Sequence, residues 1–238
     1  MNKKKLFRWI KVFILVYSII GIAVYYSQEW WLFHPVKTDA ATAYPFTRPF
    51  GELNLNYDQN TQLNVVEFRA TDRPADSPAQ GVVLYFADSR GNIASHVAVA
   101  EKPASGGYEC WMMDYPGFGK STGSHSEKEL YAYALVFYKL ARSRWKPAQI
   151  RIAGSGMGAA IAAQLASVRD CQALELTDAW YSQDARWRRA LFLYPVGTLL
   201  HYHFPTHRFL PAVTAPVIMN HCDEALKPFL KQGDTFIP

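Results

Sequence analysis

The chain has 238 residues, half of them hydrophobic and 19% charged, which excludes a disordered tail and suits a single membrane-attached domain. The formal net charge of +5 does not describe a nucleic-acid-binding face. Lys3, Lys4, Lys5, Arg8 and Lys11 all precede the first acidic residue, Glu29, and the rest of the chain carries 20 basic and 20 acidic residues.

In chain order, residues 1–11 form a basic tail. Residues 12–28, VFILVYSIIGIAVYYSQ, carry no charge at all. Seventeen residues is short for a bilayer span, but Lys11 can snorkel, and Tyr25, Tyr26, Trp30 and Trp31 supply an interfacial belt. The stretch reads as a retained anchor rather than a cleaved signal peptide. Its apolar core runs into Tyr-Tyr-Ser-Gln-Glu-Trp-Trp, with no small-residue cleavage site. The positive tail places the N-terminus in the cytoplasm and the domain outside, as a single-pass membrane protein. Residues 29–50 are rich in proline and aromatics, without helical periodicity, and are expected to be a linker packing on the domain of residues 51–238.

Strands are expected at 63–68 (LNVVEF), 81–86 (GVVLYF), 109–114 (ECWMMD), 149–154 (QIRIAG), 173–176 (ALEL) and 215–220 (APVIMN). Several are near-continuous apolar runs, as strands buried on both faces should be. Residues 127–143 have apolar positions at helical spacing, preceded by Ser126 as N-cap with Glu129 three residues on. Residues 157–168, MGAAIAAQLASV, form a second helix whose small residues allow close approach to a sheet. Alternating strands and helices predict an α/β fold with a doubly wound, mostly parallel sheet, since parallel neighbours need crossover connections. Ligands in such sheets sit beyond the carboxyl ends of the strands, at segments such as 87–92, 114–123, 154–158 and 220–224.

The three cysteines, Cys110, Cys171 and Cys222, lie far apart, and an odd number leaves at least one unpaired in a monomer. His201, His203 and His207 in HYHFPTH read as packing or surface residues rather than a metal site. Pro205 interrupts the backbone, and no carboxylate or cysteine joins them locally. Gly117-Phe118-Gly119-Lys120-Ser121 ends like a phosphate-binding loop but lacks its glycine spacing. Arg186, Arg188 and Arg189 read as a solvated helix face. No metal and no cofactor is implied.

Residues 151–160, RIAGSGMGAA, have the form of a strand, a sharp turn and a helix entry. With FHP at 33–35, LYF…GN at 84–92, WMMDYPGFGKSTGSHSE at 111–127 and HYHFPTHRFLPAV…APV at 201–217, the ordered set resembles the α/β-hydrolase superfamily. More narrowly it is similar to membrane-anchored serine hydrolases of the ABHD13/Bem46-like type, over roughly residues 28–238. The resemblance implies a triad in the order Ser, Asp, His, with a serine at the centre of the elbow. Here the nucleophile position falls on Gly156, which keeps the turn and has no atom to attack with. Ser155 is the other nucleophile candidate, one residue early. The implied oxyanion donors are Met157 and Ala87. Ala87-Asp88 replaces the His-Gly pair common in the family, and a carboxylate there would oppose a developing oxyanion. Asp223 lies roughly where the triad acid is expected, with a helix-capping role the alternative. The late histidine is missing, because the chain ends at GDTFIP, where the fold's last strand would run. That strand and the final helix are therefore expected to be absent or cut short.

Three readings follow. The chain is a catalytically impaired hydrolase-fold protein, tethered to the membrane through residues 12–28, that binds a small-molecule or protein ligand in its cleft and no nucleic acid. Alternatively, it is an active ester or amide hydrolase using Ser155. In the third reading it is a shortened form of a chain that continues past Pro238, which would not by itself replace Gly156.

Overall fold

The computed structural model describes residues 3–71 and 78–238, so the first two residues of the basic tail and the stretch 72–77 of the domain lie outside it. The chain opens with one long helix, α1 (Lys3–Leu32), which begins within the basic tail and extends four residues into the expected linker. A two-residue strand, β1 (His34–Pro35), then pairs in parallel with β5 (Arg90–Gly91), and Lys37 bridges to Gly119. The rest of the linker lies on the domain, with Tyr44 buried against Phe68 and Val66.

Among the described residues the domain is built on an eight-stranded sheet. Its strands are β2 (Phe50–Asn56), β3 (Gln62–Phe68), β4 (Gly81–Phe86), β6 (Tyr108–Met113), β7 (Ile150–Ser155), β8 (Ala173–Thr177), β9 (Val217–Asn220) and β10 (Thr235–Ile237), in the spatial order β10-β9-β8-β7-β4-β6-β3-β2. Only β3 runs antiparallel to both neighbours within this sheet; the block from β6 to β10 is parallel throughout. GVVLYF is buried along its whole length because β4 sits mid-sheet, with cores on both faces.

The larger core lies under α3 (Glu127–Arg142) and α4 (Met157–Val168). The smaller one lies under the turn Ile93–Ala100 and α2 (Glu101–Ser105). Ser126 caps α3 by accepting the Glu129 N–H at 3.3 Å. Three short helices, α5 (Gln183–Trp187), α6 (Val196–Leu199) and α7 (Thr206–Phe209), occupy the excursion between β8 and β9.

Two expectations are corrected. The last strand is present: β10 pairs in parallel with β9, from Thr235 opposite Ile218 to Ile237 opposite Asn220. The expectation rested on the chain ending at GDTFIP, and three residues of that segment are enough to pair with β9. The first strand, β2, also escaped sequence reading, since FGELNLN alternates with polar residues at an edge and looks like the end of the linker. Cys110, Cys171 and Cys222 are all free thiols, with Cys110 and Cys222 buried.

Candidate functional site

In this sheet β4 lies between β6 and β7, and the connections from β4 to β6 and from β6 to β7 diverge to either side of it. The crevice at the carboxyl ends of β4 and β7 is thus the topological switch point, where such folds bind ligands. Gly154–Gly158 forms the turn from β7 into α4, and its glycines have distinct steric reasons. A Cβ on Gly154 would come within 2.6 Å of the Gly158 carbonyl carbon, and one on Gly158 within 2.5 Å of the Phe86 carbonyl carbon. Close approach of α4 to β4 and β7 therefore requires both glycines.

The reversal itself pivots on Gly156, at φ 56° and ψ −117°, a conformation costly for residues with a Cβ. Space is a second constraint. A Cβ at Gly156 would lie 2.5 Å from Asp88 Cγ, and the Met157 N–H donates to Asp88 Oδ1 at 3.0 Å. The carboxylate of Asp88 thus fills the volume into which a side chain at 156 would project, and it takes the first free N–H of α4, where helix geometry favours an anion.

Ser155 is the last residue of β7, paired with Thr177. Strand alternation turns its side chain away from α4, toward the face that carries Ala153 and Tyr85. Ser155 borders the same cavity as Asp88 and Gly156 and neighbours Tyr85, a phenol that burial pushes up to about 12. Of the two implied oxyanion donors, Met157 has its N–H engaged by Asp88; at Ala87 the carbonyl, not the donor N–H, is the group that Tyr115 engages, through its hydroxyl at 2.9 Å. Asp223 is a helix-capping residue. Its Oδ1 accepts the Ala225 N–H at 3.0 Å and its Oδ2 the Tyr181 N–H at 3.4 Å.

The histidines do not converge. His201 packs edge-on against Tyr25, His203 Nδ1 lies 2.8 Å from Asp184 Oδ1, and His207 stacks on Tyr181 with its Nδ1 2.9 Å from the Tyr181 carbonyl. His221 is exposed at the end of β9, where its N–H donates to the Ile237 carbonyl. Among the described residues, no group of three or more His, Cys, Asp or Glu is placed to hold a metal ion. The Lys120 ammonium of the GKS segment is also committed, to Glu52 at 2.7 Å and to the face of Tyr44.

Around Asp88 and Gly156 lies a cavity of about 430 Å³. Charge is balanced on its walls, with Asp88 and Asp178 against Arg90 and Arg186, and its apolar walls include Trp31, Trp180 and Trp187. The Arg186 guanidinium lies over the Trp180 ring at 3.9 Å. Burial lowers its pKa, with the Asp88 carboxylate working in the opposite direction. Arg186 is exposed like Arg188 and Arg189, as expected of a solvated face, and it also borders the cavity. Gln183 is 2% exposed, lines the cavity, and has no hydrogen-bond partner for its Oε1. No histidine lines this cavity among the described residues.

Asp178, Gln183, Trp180 and Trp187 were not singled out from sequence, and Trp31 was read only as part of an interfacial belt. Asp178 carried a usable signal, because it stands two positions after the last residue of the expected strand ALEL, at the strand end where ligands are bound. Gln183 carried none; only the fold brings it to the crevice.

No family model matches the chain. Solved structures that resemble it include an alpha-beta hydrolase from Vibrio vulnificus, 19% identical, with a TM-score of 0.60 over 74% of this chain and 65% of that one. An esterase from Pyrococcus furiosus is 13% identical, with a TM-score of 0.61 over 86% and 87% of the two chains. The protein Est1E from Butyrivibrio proteoclasticus, solved with ferulic acid bound, is 17% identical, with a TM-score of 0.61 over 78% and 89%. The chain thus has the α/β-hydrolase fold, and it spans just under two thirds of the length of the Vibrio protein.

Proposed function

We propose that this protein is a membrane-anchored, single-pass member of the hydrolase-fold group that the ABHD13/Bem46-like enzymes typify, with its N-terminus cytoplasmic and its domain outside. In this reading the covalent route is closed and the strand-end cavity acts by binding a small polar ligand.

The observation that carries this reading is the position of Asp88. Acyl transfer needs a nucleophile at the elbow and N–H donors free to meet the oxyanion. Gly156 supplies no nucleophile, and the Met157 N–H already serves a carboxylate. A second negative charge developing beside Asp88 would be repelled rather than stabilised. Ser155 borders the same cavity, but strand alternation turns its side chain toward the face of Ala153 and Tyr85 and away from α4.

Ligand binding draws support from the cavity itself. The unpartnered Gln183 Oε1 calls for a donor from outside the chain, because a buried acceptor without a partner is costly. Tryptophan walls and a balance of opposite charges suit a compact, uncharged or zwitterionic molecule bearing an N–H or O–H group. Anchoring is supported by the length and apolarity of α1 and by the lysine-rich start of the chain.

The experiment is hydrolysis of p-nitrophenyl acetate by the detergent-solubilised full chain and by its Ser155→Ala variant. Any background rate is expected to be the same in both. A rate that disappears with Ser155 would establish the alternative reading, an active serine hydrolase.

A further inference from the structure

The stretch 190–200, ALFLYPVGTLL, holds no charged residue and lies between Arg186, Arg188 and Arg189 on one side and His201 on the other. It does not stay with the globular domain but lies along α1. The rings of Tyr17 and Tyr194 stack with centroids 4.3 Å apart. The Tyr17 hydroxyl donates to the Leu193 carbonyl at 2.9 Å, and the Tyr194 hydroxyl donates to the Tyr17 carbonyl at 2.7 Å. Gly21 leaves room for the Tyr194 ring. Gln28, the polar residue closing the apolar run, donates to the Leu199 carbonyl and accepts the His201 N–H.

Residues 17, 21, 24, 27, 28, 31 and 32 are accordingly the partly or fully covered positions along this part of α1, a single stripe at helical spacing. The opposite face carries exposed Leu15, Ile19 and Ile22.

Tyr17 lies eleven residues before Gln28, about 16 Å down the helix. If residues 12–28 span a bilayer, whatever packs on Tyr17 has entered it. We propose that residues 190–200 are a membrane-inserted segment, docked on the anchor and facing the acyl chains of the outer leaflet with Phe192 and Leu193. This inference rests on the anchoring reading given above.

Phe192 is 75% exposed and Leu193 56% exposed, a costly arrangement in water. Non-helical backbone in lipid must satisfy its own polar groups, and this segment does so repeatedly. The Leu191 N–H donates to Trp187, Tyr194 to Leu191, Thr198 and Leu199 to Pro195, and Leu200 to Val196, while the Leu193 carbonyl takes the Tyr17 hydroxyl. The flanking Arg188 and Arg189 are exposed, as cations at a headgroup boundary would be. Trp31, on the cavity wall, stands about 21 Å from Tyr17 along α1, and its ring meets Trp187 at 4.4 Å. Insertion would therefore set the mouth of the cavity at headgroup level, with entry from the membrane surface.

The test uses the full chain with Cys171→Ser, reconstituted in phosphatidylcholine vesicles. A polarity-sensitive fluorophore is placed at Phe192→Cys and, separately, at Leu193→Cys. Ile19→Cys on the open face of α1 is the membrane reference and Lys128→Cys on the domain is the water reference. Emission at 192 and 193 is expected to shift to the blue and to be quenched by acyl-brominated lipid as at 19, with 128 unaffected. Quenching at 19 without quenching at 192 or 193 would overturn insertion while leaving the anchor intact. An emission shift at 192 that brominated lipid does not quench would assign the face to a second copy or another protein, and would also overturn it. If position 19 is unquenched as well, the anchoring reading fails and the inference falls with it.

Discussion

Asp88 and Gly156 occupy one another's space: the carboxylate of Asp88 lies where a side chain on Gly156 would be, and its Oδ1 accepts the N–H of the next residue, Met157, at 3.0 Å. The two positions therefore form a matched pair. Gly156→Ala is expected to lower stability by about 2 kcal/mol, from backbone conformation together with the clash. Asp88→Gly added to it should recover roughly 1 kcal/mol of that loss, since contacting residues couple on this scale. Thermal unfolding of the two single variants and the double variant measures the coupling. Strict additivity would mean that the two groups do not share the site.

Gly158 has a different role, with an ordinary backbone conformation and no open space. The carbonyl of Phe86 on β4 lies inside contact distance of any Cβ there. Gly158→Ala should cost about 2–3 kcal/mol by forcing α4 off the sheet, whereas Gly197→Ala, in open space, should cost far less. Unfolding midpoints of the two variants compare them directly.

Asp114 is 4% exposed and is held by the Ile93 N–H and the Tyr44 hydroxyl, with burial raising its pKa from 3.8 to about 6. The unfolded chain gives up this proton at lower pH than the folded one. The stability contributed by protonated Asp114 is therefore complete below about pH 4 and lost as pH rises through about 6. Up to about 3 kcal/mol is involved. Asp114→Asn should flatten this part of the pH–stability curve. An unchanged slope between pH 4 and 7 in the variant would assign the dependence to other groups.

Much of the architecture can be read from the sequence, for physical reasons. GVVLYF has to be a central strand because nothing in it tolerates water, and the small residues of 157–168 permit the close helix–sheet contact that the structure has. The glycines at 154, 156 and 158 mark the turn for the steric reasons already described. The edge strands β2 and β10 are hidden by their polar alternation and shortness. The direction of the Asp88 carboxylate was not legible, because its partner is 69 residues away in the chain and only the adjacency of β4 and β7 brings the two together. Gln183 and Trp187 lie in an excursion between strands whose path follows no periodic rule.

We propose that the turn at Gly154–Gly158 has the shape of a nucleophile elbow without its chemistry. Labelling of the folded full chain with a serine-directed fluorophosphonate, with the modified peptide located by mass spectrometry and a heat-denatured sample as control, tests this most directly. The expected result is no adduct on Ser155 in the folded protein. A heat-sensitive adduct on Ser155 would contradict this reading, since the Met157 N–H would have to leave Asp88 to meet the oxyanion.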